Sequence, residues 1–288
     1  MAQKNPKIGL ALGSGGAKGL AHIGVLKSLE KHKIPIDYIA ASSIGSVIGA
    51  HYARYRNVKK LEELVLHFDR KRGVGLFDFT VIGGIMKGQK TEKFISEILQ
   101  NATFQDLQIP LTIVATDFNT ADSVYFSEGD VAKAIRASIA IPTIFQPLSY
   151  LDKLLADGGL SNPVPVSVVA AMGADLTIAV NLDRVYQENP IANLPPLSKI
   201  PLLAINILRH NLALYSISNA DIIITPLNKL QIGLVGWKHI FDNNKVRQII
   251  QEGEDAADRV IPDIKKQILE FQQRQLPLHK FFSFFRIR

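Results

Sequence analysis

The chain has 288 residues, 47% of them apolar, enough to bury one large core, and residues 1–275 read as one domain followed by a tail, 276–288. It contains no cysteine, which excludes disulfides and thiolate metal sites, and its net charge of +7 favours anionic surfaces. No run approaches the ~18 apolar residues of a membrane-spanning helix and Met1 to Lys7 is polar, so a cytoplasmic location is expected, with peripheral contact at the membrane as an addition.

In chain order, residues 8–12 read as a buried strand, followed by Gly13-Ser14-Gly15-Gly16-Ala17-Lys18-Gly19 and a helical run with Ala21, Val25 and Leu29 on one face. Glycines between a strand and a helix leave backbone N–H groups unshielded, and the helix dipole adds positive potential, so the loop is built to hold an anion. The anion is either a nucleotide pyrophosphate or the oxyanion of an acyl-transfer intermediate. Spacing disfavours the nucleotide, because the sixth position of a dinucleotide fingerprint counted from Gly13 is Lys18. Lys18 either draws in an anionic headgroup or pins the loop.

Next come strand 38–41 and Ala41-Ser42-Ser43-Ile44-Gly45, opening into the small and apolar run 46–50. Strand, tight turn and helix with serine at the bend form a nucleophile elbow, which lifts the Ser43 hydroxyl clear of the sheet. Gly45 supplies one small flanking position, and Ala41 stands where the usual pattern has glycine. A helix is expected over 61–70. The stretch 83–91 reads as a turn into a helix over 91–99 with Thr91 as its N-cap, and Gln89 spoils its likeness to a phosphate loop.

Further strands are expected at 111–115, 123–126, 153–156, 176–182 and 221–225, with helices over 131–138 and 245–272 and a hairpin at 119–122. This alternation predicts a three-layer α/β/α fold around a largely parallel sheet, with Gly13, Ser43 and Asp157 at carboxyl ends of strands. Asp157-Gly158-Gly159 directly follows an apolar strand; the plain reading is an ordinary Asp–Gly turn. The proline-rich stretch 190–201 is expected as a loop near the site mouth. The tail holds Lys280, Phe281, Phe282, Phe284, Phe285, Arg286 and Arg288; it either inserts at a lipid interface or packs on the body. No nucleic-acid recognition motif, HExxH pair or carboxylate-rich ligand loop is present, so no nucleic-acid partner, metal or cofactor is expected. Oligomeric state is not encoded in any motif.

Taken together and in this order, Gly15-Gly16-Ala17-Lys18-Gly19, Ser43 with Gly45, and Asp157-Gly158-Gly159 resemble the patatin-like phospholipases, in particular short bacterial members. The likeness runs from Ile8 to about Asn181 and includes Arg136-Ala137-Ser138-Ile139-Ala140-Ile141-Pro142 with Phe145 and Pro147; Ala41 departs from the pattern. The resemblance implies a patatin-like fold and a serine acyl-hydrolase acting on carboxyl esters of lipids, phospholipid or lysophospholipid. It also implies a Ser43–Asp157 dyad: Ser43 attacks the ester, Asp157 takes its proton, and the amides of Gly15 and Gly16 hold the oxyanion. The alternatives are a triad completed by His210 or His239, a catalytically weak lipid-binding or regulatory module that keeps the fold, and a nucleotide-binding protein.

Overall fold

Residues 5–68, 75–76, 78–80, 82–183, 196–197, 200–227 and 241–274 are described by a computed structural model. The strands are β1 (Ile8–Leu12), β2 (Tyr38–Ser42), β3 (Gly84–Met86), β4 (Leu111–Asp117), β5 (Ser123–Phe126), β6 (Thr143–Phe145), β7 (Leu148–Tyr150), β8 (Lys153–Asp157), β9 (Leu176–Val180) and β10 (Ile222–Ile224). The helices are α1 (Ala21–Lys31), α2 (Ile44–Tyr55), α3 (Val58–Leu66), α4 (Gln89–Ile98), α5 (Val131–Ser138), α6 (Val166–Ala171), α7 (Ile200–Ser216) and α8 (Asn243–Arg274). Short 3₁₀ turns at Gly16–Leu20 and Gly158–Leu160 follow β1 and β8.

Strands β10, β9, β1, β2 and β4 pair in parallel in that order. Strands β5, β8 and β7 add antiparallel pairings beyond β2. β1 is buried at every residue, as a strand covered by helices on both faces must be. The two faces differ in size. Leu10, Leu12, Ile39, Ile113, Ile178 and Val180 meet α1, α2, α3, α5 and α8 in the larger cluster. On the opposite face Ala11 lies beside Ala40 and Ala179, a stripe of methyl groups that lets Val166 and Val169 of α6 and Ala213 of α7 approach closely. Large side chains on one face and alanines on the other thus build the three-layer arrangement.

The helix expected at 61–70 begins earlier, at Val58, because Asn57 Oδ1 accepts the Lys60 N–H at 2.9 Å. Thr91 is not an N-cap. α4 starts at Gln89, and its first amides are satisfied from a distance: Asp78 accepts from Gly88 N at 2.8 Å and Lys90 N at 3.0 Å. The stretch 83–91 also contains β3, which pairs with β6 in a separate two-stranded sheet. The 119–122 turn does join antiparallel strands, β4 and β5. His210, one of the two histidines of the triad alternative, lies on α7. His239, most of the 190–201 stretch and the tail lie outside the described residues. Among the described residues no helix is long and apolar enough to cross a membrane.

Candidate active site

The site is assembled on one edge of β4. β2 runs along that edge from Ile39↔Leu111 to Ser42↔Val114, and β8 takes over antiparallel with Ala115↔Asp157. β5 occupies the other edge over residues 113–116. Two carboxyl ends therefore meet at consecutive positions of one strand, and the residues that leave the sheet there are Ser43 and Asp157.

Ser43 sits at φ 53°, ψ −126°, a left-handed conformation that an L-residue holds only under surrounding constraint. Its N–H donates to Ser138 Oγ at 2.8 Å. Its carbonyl accepts from Ser46 N at 2.8 Å and Ser46 Oγ at 2.5 Å. Gly45 is required by proximity: a Cβ there would lie 2.3 Å from the Leu12 carbonyl oxygen and 2.8 Å from that of Gly13. Ala41 is fully buried, and its methyl faces bare Gly49 of α2, where an added Cβ would stand 3.5 Å away. That space lets the elbow keep its shape with alanine in place of glycine.

Ser43 Oγ donates to Asp157 Oδ2 at 2.5 Å, and Gly159 N donates to Oδ1 at 2.8 Å. The Asp157 backbone is fixed as well, its N–H donating to Ala140 O at 3.0 Å and its carbonyl accepting from Thr116 Oγ1 at 2.8 Å. Gly158 permits the contact of the two turns, since a Cβ there would fall 2.2 Å from Val114 O and 2.7 Å from Ser42 Oγ. Burial pushes the Asp157 carboxyl up to about 6, against the opposing pull of the Ser43 hydrogen bond, Arg209 and the Gly159 amide. A carboxylate lifted in this way is a stronger base than an exposed one.

The glycine loop follows β1 directly. His22 supports it from behind: burial pushes its imidazole down to about 4, so it is neutral and donates from Nε2 to Gly13 O at 2.8 Å. The loop ends in the 3₁₀ turn, whose leading amides, those of Gly15, Gly16 and Ala17, have no acceptor among the described residues. Gly16, Ala17 and Ser43 face one cavity. Lys18 adopts the pinning arrangement: its Nζ donates to the Leu182 carbonyl, and burial pushes the amine down to about 8. Gly19 packs on Ile44 of the elbow helix, with no room for a Cβ.

Sequence reasoning missed the groups that hold this loop. Ser14 Oγ donates to Asp183 Oδ2 at 2.7 Å, while Arg209 of α7 donates to Asp183 Oδ1 from Nε at 2.8 Å and Nη2 at 2.5 Å. Both members of this ion pair are almost fully buried. His210 contacts neither Ser43 nor Asp157; its Nδ1 pairs with the Asp183 carbonyl at 2.7 Å. With Asp157 bonded directly to Ser43, no imidazole stands between them. Ser138 and Ala140 were visible only as part of the Arg136–Pro142 resemblance, without assigned roles.

A cavity of about 220 Å³ opens from Ser43 and runs between α2, α3 and α4. Ile48, Leu61, Val65, Phe94, Ile95 and Ile139 are among its lining side chains. His51, also in the wall, is neutral because burial pushes it down to about 4. Beyond the glycine loop its walls are mainly apolar side chains, which suits an aliphatic chain.

A family model described as patatin-like phospholipase matches residues 10–170, more than half of the chain. An uncharacterized NTE family protein of Mycobacterium tuberculosis is 39% identical over 180 residues, 62% of this chain and 50% of that protein. Patatin-like phospholipase domain-containing protein 6 of Homo sapiens is 32% identical over 181 residues, 61% of this chain and 13% of its own length. A lysophospholipase of Candida albicans is 29% identical over 191 residues, 65% of this chain and 14% of that one. The alignments thus span half or less of these curated relatives. Among solved structures, VipD from Legionella pneumophila shares the fold with a TM-score of 0.63 at 13% identity, covering 90% of this chain and 67% of VipD. With one family model spanning the glycine loop, the serine elbow and the aspartate turn, the chain belongs to the patatin-like phospholipase family.

Proposed function

We propose that the chain is a serine acyl-hydrolase that cleaves carboxyl esters of lipids through a Ser43–Asp157 dyad. The observation that carries this reading is the 2.5 Å hydrogen bond from Ser43 Oγ to Asp157 Oδ2 at the mouth of an apolar cavity. The ester's acyl chain enters the cavity, bringing its carbonyl carbon over Ser43. As Oγ attacks, its proton passes to Asp157 Oδ2, and the developing oxyanion is held by the amides of Gly15 and Gly16. Protonated Asp157 then gives the proton to the departing alkoxide. In the second half Asp157 takes a proton from water as its oxygen attacks the acyl carbonyl; the intermediate collapses, the fatty acid leaves, and Asp157 returns the proton to the departing Ser43 Oγ. Phospholipid or lysophospholipid is the substrate class, with the glycerol and headgroup outside the cavity.

Aryl esters of graded chain length, with lysophospholipid alongside, test the reading. Ser43→Ala and Asp157→Asn are each expected to lower kcat/KM by at least ~10³-fold while the fold is kept. Full activity in folded Ser43→Ala would remove the nucleophile assignment. A folded parent protein inert toward every ester would favour the lipid-binding module instead.

A further inference from the structure

One polar ring is set deep in the apolar wall of the cavity. On α2, Ile44, Val47, Ile48 and His51 recur at three- and four-residue spacing, so one face of the helix lines the cavity from Ser43 inward. Ser43 precedes the helix and His51 stands about two turns on, ~12 Å along the axis from the nucleophile. Apart from Ser43, the polar side chains among the described residues of that wall are His51 and Thr91. Thr91 is only half-buried, near the start of α4.

His51 is 2% exposed, and neither ring nitrogen has a hydrogen-bond partner among the described residues. Nδ1 is sealed off, which leaves Nε2 as the nitrogen open to the cavity. The ring is held in place by Tyr55, tilted against it with centroids 4.8 Å apart. Tyr55 is fixed in turn, its hydroxyl donating to Ile98 O at 2.8 Å and Lys60 Nζ standing 3.3 Å from its ring centre.

Packing alone does not account for histidine here. An unpaired buried donor and acceptor are costly, and leucine or phenylalanine would fill the place without them. In either tautomer of the neutral ring Nε2 gives or accepts one hydrogen bond, and a hydroxyl can answer both. A charged group would have to shed its water in an apolar wall, so a neutral hydroxyl is the better match.

We propose that His51 is a specificity-determining residue of the cavity, selecting acyl chains that carry a hydroxyl ~8–10 carbons from the ester carbonyl. Such a hydroxyl reaches Nε2 and pairs with it, whereas a plain alkyl chain leaves the ring unpaired. The inference rests on reading the cavity as the acyl site.

The test compares aryl esters of ω-hydroxydecanoate and decanoate, and of ω-hydroxyhexanoate and hexanoate, as ratios of kcat/KM within each protein. Overall changes in activity cancel in such ratios. In the parent, the hydroxyl should cost at least ~10-fold at hexanoyl length, where it meets only apolar wall, and less than ~3-fold at decanoyl length. His51→Leu should lower the decanoyl ratio at least ~10-fold and leave the hexanoyl ratio as it is, while His51→Gln, which keeps a hydrogen-bonding group at that reach, should hold the parent's decanoyl ratio. An equal hydroxyl penalty at both lengths in the parent, or an unchanged decanoyl ratio in folded His51→Leu, would overturn the proposal and leave the hydrolase reading intact. If the parent turns over no ester, the comparison is read from displacement of a fluorescent fatty acid by decanoate and ω-hydroxydecanoate. Discrimination that His51→Leu abolishes would then keep the His51 site and remove the acyl-hydrolase reading; equal displacement in both proteins would remove both.

Discussion

Asp157 carries the opposed demands of the site in a single side chain. Its burial lifts the carboxyl from 3.8 to about 6, and its proposed role as base requires the ionised form. For the soluble ester, kcat/KM should therefore rise through a single ionisation near pH 6 and level off above it. A profile flat down to pH 4 would contradict that assignment. The same lift has a stability cost whose sign is fixed by linkage. The folded state holds the proton more tightly than the unfolded chain, so the contribution favours folding at pH below 3.8. It is lost as pH rises through about 6. The rise corresponds to about 3 kcal/mol. Asp157→Asn should accordingly unfold later than the parent in urea at pH 8, by up to about that amount, with the gap closing toward pH 4.

Among the elements, β4 aligns Ser43 with Asp157 and α7 steadies the glycine loop, the oxyanion site of the proposed mechanism. Removing only the Ser14 hydroxyl leaves Asp183 paired with Arg209, so Ser14→Ala should cost about 1 kcal/mol in stability. It should lower kcat more than it raises KM, by roughly 10-fold, because a displaced amide acts on the transition state. Arg209→Met instead leaves a buried carboxylate unpaired and should destabilise the fold by about 3–5 kcal/mol, read from denaturant midpoints. These couplings explain which parts were legible in the sequence. The glycine loop, the elbow and the aspartate turn are local patterns, each with its residues side by side. Ser138 holding Ser43, Asp78 capping α4 and Ser14 meeting Asp183 are partnerships between residues 95, 10 and 169 positions apart, and hydrophobic spacing carries no trace of them. The early start of α3 was readable from Asn57, an ordinary cap. Strands β3, β6 and β7 are three residues each, too short for alternation to distinguish them from turns.

At the scale of the whole molecule, the sheet sets its reactive ends at the mouth of a cavity that three helices enclose. Chain-length preference should follow from that enclosure. Each further methylene buried contributes ~0.8 kcal/mol, so kcat/KM should climb roughly 4-fold per carbon until the cavity is full. Val47 lies in the wall without being fully buried; Val47→Phe should depress turnover of long-chain esters and spare the acetyl ester. Equal loss across the series would mean that the chain does not enter there. The central claim, a serine activated directly by an aspartate, is tested most directly by fluorophosphonate labelling followed by peptide mass mapping of the parent, Ser43→Ala and Asp157→Asn. The account predicts one adduct, on Ser43, absent from Ser43→Ala and formed at least ~10²-fold more slowly in Asp157→Asn. An adduct on another residue, or an unchanged rate in Asp157→Asn, would contradict it.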